Sequence, residues 1–335
     1  ELWKLLAEAY IRTDQTRRAV DALVQYLRLA PRDPAMTLQL AREYAGLGEW
    51  ENAFKAARQA ELLDPAAAAP KLRRIEASLF QAAQRRTNLS PAELEKFSAE
   101  VADLRRTDPN RVETRLLQAT IAEYVGRPEE AERELKLAIE ECPESLPAEM
   151  QLARHYHRTQ RTAEALQVCE NSCRRHAEVA EPWLALSSLQ AAAANYEAAR
   201  ACLKQGLDHI VGPEEKRILS LSLASLELQR GDRKAGIGLL KDLAAQDEGE
   251  VRARSRLLDV QEIRDDSQTA AQLVQELRQA EGQTGLLWRL HQASLWLSSP
   301  DWSAQQKGIV DHLQYCIDSD PQWSAPVLLL AQLYE

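Results

Sequence analysis

Apolar and small residues recur at intervals of three and four along almost the whole chain. Trp3, Leu6, Ala7 and Tyr10 share one face of a helix, and Ala19, Leu23 and Tyr26 share a face of the next. Leu40, Ala41 and Tyr44 form a third stripe. After Gly48 and Trp50, Ala53, Ala57 and Ala60 form a fourth. The alanines let two helix axes approach closely, and the larger Trp, Leu and Tyr side chains fill the space beside them. Alternating runs of Val, Ile and Thr, which strands would need, are missing. The pattern predicts an all-α chain built from pairs of helices.

Prolines close the pairs at a fixed interval. Pro31, Pro65, Pro109 and Pro143 are separated by 34, 44 and 34 residues. Self-similarity of this period marks a repeat protein. The later sequence keeps the pattern in part: Gly126, Ala131, Leu135 and Ala138; Leu152, Ala153, Tyr156 and Ala165; Trp183, Leu186, Tyr196, Ala199 and Leu203. Leu223, Ala224, Gly231, Gly236 and Leu240 continue it. Leu257, Leu258, Ala270 and Leu277 carry it more weakly, and the stretch from Gly285 to Pro321, with Trp288 and Trp302, has an irregular register. Turn chemistry agrees. Ser90-Pro91-Ala92-Glu93 reads as an N-cap, a proline in the first turn and a capping-box glutamate, and Ser299-Pro300 repeats the cap-then-proline pair. Gly48, Gly126 and Gly231 suit the left-handed conformation that ends a helix.

In period and signature residues the chain resembles the tetratricopeptide repeat family over nearly its whole length. The resemblance implies a right-handed α-solenoid of stacked antiparallel hairpins in one continuous domain. Nine hairpins and a terminal half repeat are expected near 1–33, 34–67, 68–111, 112–145, 146–179, 180–215, 216–249, 250–283, 284–322 and 323–335. The unit spanning 66–109 carries ten extra residues, which the segment 87–91 places between helices expected at 70–86 and 91–106. Loops accept added length cheaply, so a tolerated surface insertion is preferred to a binding loop. The chain opens with Trp3 at a signature position and closes with Leu330, Ala331 and Tyr334 in a first-helix pattern. Neither end supplies the polar cap that a solenoid needs, so a fragment of a longer chain is expected.

Charge and composition narrow the function. The net charge is −9, with a pI near 5.4, which argues against a duplex nucleic-acid binder. Residues 71–115 are a local exception, with ten Lys/Arg against seven Asp/Glu, and a salt-bridged helix surface accounts for that excess. No apolar run approaches eighteen residues, so no membrane insertion is expected, and no signal peptide is visible. Five cysteines at uneven spacing do not make a secreted disulfide framework.

Catalytic and nucleotide-binding signatures do not occur, and no enzyme activity or cofactor is expected. His155 and His157 are two residues apart on a helix, pointing about 200° from one another, and cannot share a metal. Cys169, Cys173 and His176 lie at spacings of four and three on one face, a geometry compatible with zinc. The set lacks an obvious fourth ligand, and Cys169 falls where the family buries a medium apolar residue, so packing is preferred and no metal is expected. Trp3, Trp50 and Trp183 sit at core signature positions. Trp296, Trp302 and Trp323 are expected to fill packing faults in the irregular unit.

What the resemblance implies for binding is a concave groove lined by the first helix of each hairpin. Carried over by repeat alignment, Arg42 faces the groove from an early unit. Leu116, Glu123 and Tyr124 face it from the middle, followed by Met150, Arg154, His157 and Arg158, and then Leu184 and Leu221. Apolar anchors mixed with arginine would suit a protein or peptide ligand with apolar side chains and some acid. The family's carboxylate clamp is not matched: Lys4 fits, but Glu8 and Gln39 stand where its asparagines should be. The family's asparagine ladder is not matched either, with Leu5, Gln39, Leu117, Gln151, Ala185, Ser222 and Arg256 at the corresponding positions. The expected function is a protein-interaction scaffold. The alternatives are a regulatory or substrate-recruiting arm of a larger enzyme or secretion assembly, and an RNA-processing helical repeat favoured only by residues 71–115.

Overall fold

The computed structural model describes residues 2–12, 15–108, 111–321 and 323–334. The repeat-marking Pro109 lies outside them. Among the described residues there are only helices and turns, with no strand. The chain divides into two compact units, Glu1–Ser172 and Cys173–Glu335.

In the first unit α1 (Leu2–Arg12) packs on α2 (Thr16–Leu29), and α3 (Pro34–Gly46) on α4 (Trp50–Leu63). Then come α5 (Ala68–Gln84), α6 (Pro91–Thr107), α7 (Val112–Tyr124), α8 (Pro128–Glu141) and α9 (Leu146–Arg158), followed by α10 (Thr162–Arg175), in which the division falls. The alanine stripes become helix contacts: Ala7, Ala19, Ala41, Ala53, Ala57, Ala60, Ala131 and Ala138 are fully buried. Asp33 caps α3, accepting from the Met36 amide at 3.0 Å and from the Tyr26 hydroxyl at 2.9 Å. Ser90 forms the expected capping box with Glu93 at the start of α6. Gly48, Gly126 and, in the second unit, Gly231 turn with positive φ, as their sequence positions led one to expect.

A tight crossing gives a direct test of this packing. Ala131 has no exposed surface, so Ala131→Trp should overpack α8 and cost about 1–3 kcal/mol. Thermal melting checks it, and an unchanged Tm would contradict the packing.

The inserted residues change the local arrangement. The helices lie at 68–84 and 91–107, so the link is residues 85–90, and α5 packs chiefly on α4 and only lightly on α6. The Tyr124 hydroxyl, at the end of α7, donates to the Thr87 carbonyl (3.0 Å) and accepts from the Leu89 amide (3.1 Å). This fixes the link to the body of the unit.

The second unit contains α11 (Ala180–Ala192), α12 (Tyr196–His209), α13 (Pro213–Gln229) and α14 (Arg233–Gln246). It continues with α15 (Val251–Leu258), α16 (Gln261–Asp265), α17 (Ser267–Glu281), α18 (Leu287–Leu297), α19 (Gln306–Ser319) and α20 (Ser324–Tyr334). Helix α15 is only eight residues long, and α16 intervenes before its packing partner α17. Leu240, Leu257, Leu258, Ala270, Leu277 and Trp288 form one buried cluster. Ser299-Pro300 opens a turn and a 3-10 segment, Trp302–Gln305, rather than the first turn of an α-helix. The Ser299 hydroxyl accepts from the Asp301 amide at 3.3 Å within that turn.

Candidate functional site

In the first unit α7 and α9 are clipped together by a side chain that repeat alignment placed only at an unmatched ladder position. The Gln151 amide donates to the Leu116 carbonyl (3.2 Å) and to Thr120 Oγ1 (2.8 Å). Four of the residues nominated for a groove are engaged inside this unit. Glu123 is half-buried, with His155 Nδ1 at 2.9 Å from its carboxylate and Arg158 paired to the same oxygen. Tyr124 holds the 85–90 link. Met150 is 2% exposed and cannot be a surface anchor. Helix α9 packs on both α7 and α8, which buries it well beyond a single stripe. Leu116 is half-buried. Arg42, Arg154 and His157 are exposed, and among the described residues no carboxylate lies within 4.0 Å of any of the three. Arg42 makes one long contact of 3.4 Å to Gln39.

The second unit brings the remaining two nominated residues together. Leu184 of α11 and Leu221 of α13, both half-buried, line an open groove of about 540 Å³. Ser187, Ser188, Ile218, Ser222, Ser225 and Gln229 continue the lining, and Arg252 and Arg256 of α15 bring the only charge to it. Two of the hydroxyls are already spent on their own helix. Ser222 donates to the Ile218 carbonyl (3.0 Å) and Ser225 to the Leu221 carbonyl (2.9 Å). Those two positions offer acceptor lone pairs and methylene surface but no free proton. Arg252 and Arg256 lie one turn apart on the groove side of α15 and are exposed. No carboxylate among the described residues lies within 4.0 Å of either, whereas Arg254, between them in sequence, is buried and paired with Glu276. Sequence reasoning placed Arg256 only as a failed ladder position and did not place Arg252. Two arginines four residues apart on a first helix were the available signal.

Buried carboxylates are answered by arginine: Glu134 by Arg105 and Arg115, Glu227 by Arg200 and Arg230, and Glu250 by Arg217. Cys169, Cys173, Cys202 and Cys316 are buried. Burial pushes the Cys316 thiol up to about 11, so it is no thiolate at neutral pH. Among the described residues no three His, Cys, Asp or Glu side chains converge as a metal site, and no helix is long and apolar enough to cross a membrane. The basic stretch 71–115 is largely neutralised. Seven of its ten cations, among them Arg74, Arg105 and Arg115, sit within 4.0 Å of a carboxylate.

Two solved structures share this arrangement of helices. Yeast Tom70 aligns over 99% of this chain and 80% of its own, with a TM-score of 0.54 and 13% identity. A tetratricopeptide repeat protein from Parabacteroides merdae aligns over 68% of this chain and 83% of its own, with a TM-score of 0.50 and 18% identity. At such identities the likeness is one of fold. No family profile matches the sequence, and no curated protein sequence matches it significantly.

Proposed function

We propose, from the premise that this chain is an all-α helical-repeat solenoid of the tetratricopeptide type, that it is a non-catalytic scaffold holding a partner protein through a peptide segment laid in a groove of its first helices. The observation that carries this reading is the open, leucine-walled groove between α11, α13 and α15. It is large enough for several side chains of an extended peptide. Leu184 and Leu221 are only half-buried, so a ligand's apolar side chains would complete their burial. The neutralised basic stretch at 71–115 gives no support to an RNA-binding role. The exposed Arg42, Arg154 and His157 of the first unit are a secondary contact region in this reading, and the ten units expected from the sequence remain its working repeat boundaries.

Panning a displayed peptide library against the chain tests the proposal. Enriched peptides should bind Leu184→Gln/Leu221→Gln at least about tenfold more weakly, the equivalent of about 1.4 kcal/mol. Circular dichroism establishes that the variant is folded. Arg154→Glu, in the first unit, should change binding far less. Peptides indifferent to the leucine pair, or the absence of enrichment, would remove the groove from consideration.

A further inference from the structure

We infer that the groove of the second unit selects an acidic peptide, with Arg252 and Arg256 gripping one or two Asp or Glu carboxylates while a neighbouring aliphatic side chain lies against Leu184 and Leu221. The inference rests on the groove being the binding site and adds the chemistry of its ligand.

The donors available in the groove decide the matter. Ser222 and Ser225 have given their protons to their own helix. Ser187, Ser188 and Gln229 supply neutral donors, and the two guanidiniums are the only charged groups on the lining. A guanidinium presents a planar fork that matches a carboxylate with two parallel hydrogen bonds. Elsewhere in the chain arginine meets carboxylate repeatedly, as at Arg74 with Glu61 and Glu100, Arg115 with Glu134, and Arg254 with Glu276. Among the described residues Arg252 and Arg256 have no carboxylate within 4.0 Å.

Their spacing adds a second argument. Like charges four residues apart on a helix repel, and Asp259, one turn beyond Arg256, acts electrostatically on Arg256 alone of the two. An anion bound between the two arginines reverses the sign of that repulsion. The opposite wall, of Leu184, Ile218 and Leu221, offers no charge and few protons, so it takes the aliphatic part of the same ligand. The whole chain is acidic at −9, so the attraction is local, and added salt should weaken it.

The test uses peptides enriched on the full chain. The expected consensus has Asp or Glu within a few residues of Leu, Ile or Val. Arg252→Gln/Arg256→Gln should weaken binding at least tenfold. Replacing the peptide acids with Asn or Gln should weaken binding by a similar factor. The two changes together should cost little more than either alone, because both remove the same pair. Arg252→Lys/Arg256→Lys should recover part of the loss. Both arginines are exposed, so folding is not at stake. A neutral consensus that still depends on Leu184 and Leu221 would overturn the acidic ligand and leave the groove standing. An acidic consensus indifferent to the two arginines would also overturn it. Indifference to arginines and leucines alike would sink both readings.

Discussion

Arg254→Ala should destabilise the second unit by about 1–3 kcal/mol, the usual cost of leaving a buried acceptor without its partner. Arg254 is 5% exposed, and its guanidinium ties off the end of one helix and the start of the next. It donates to the carbonyls of Ala244 (2.8 Å), Asp247 (3.0 Å) and Glu250 (2.8 Å), and its Nε donates to the Glu276 carboxylate (2.9 Å). Ala244 and Asp247 belong to the last turn and C-cap of α14, whose carbonyls have no partner further along the helix. Glu250 is the N-cap of α15, accepting from the Arg252 and Ala253 amides at 2.8 and 3.1 Å. Alanine would take the guanidinium from the buried Ala244 carbonyl and release the partly exposed Glu276 carboxylate to solvent, while the Asp247 carbonyl keeps the Glu250 amide at 3.1 Å. Lysine would keep the charge but cannot reach several acceptors at once, so Arg254→Lys should fall between the two. Urea unfolding followed by tryptophan fluorescence measures the loss, with Trp288 reporting from the buried cluster that Leu257 and Leu258 of α15 join. A cost below about 1 kcal/mol would reduce Arg254 to the worth of an ordinary surface pair.

The small residues were the most legible part of the sequence, because close helix crossings admit little else. Ala53, Ala57, Ala60, Ala131 and Ala199 all fall where the period puts them, fully buried. The turns were legible only where glycine marked them. Arg86, Gln160 and Ala194 take the same positive φ without it, in a conformation that costs a side chain strain and that composition does not announce. Large aromatics misled at the margins: Trp3, read as core, is 40% exposed, and Trp302, read as filler, is 39% exposed. In the proposed groove, Leu184 and Leu221 line one cavity, and repeat alignment nominated both from positions one repeat apart. Glu123 and Tyr124 did not reveal their roles, since their partners His155, Thr87 and Leu89 lie more than thirty residues away in sequence. Met150 shares a face with Arg154, yet α9 is covered by two helices, and period alone does not count neighbours. Arg252 was missed because α15 is cut to eight residues, which leaves its unit the weakest match to the repeat.

Acid should unfold the second unit earlier than its carboxylates alone would require, and His291 is the reason. It is 6% exposed on α18, with Nε2 at 2.8 Å from Ser255 Oγ. Burial, and secondarily the charge of Arg264, hold its pKa at about 4 against an ordinary 6.5. The unfolded chain therefore takes up a proton as pH falls through 6.5, while the folded chain refuses it until about 4. Stability is greatest above 6.5, falls through that window, and levels off for this group below it. The full window is worth about 3 kcal/mol, at 1.36 kcal/mol per pKa unit. His312 acts in the same direction, lowered by burial first and then by Arg289. The reference is Ser255→Ala/His291→Phe, which removes both ends of the contact and leaves no orphaned polar group. Carboxylates are common to both chains and cancel in the difference. Between pH 7.5 and 4.5 the variant should lose about 2–3 kcal/mol less stability than the parent, measured by urea unfolding at each pH. Parallel losses would mean that His291 accepts its proton inside the folded unit, and that the α15–α18 contact opens to water before the fold gives way.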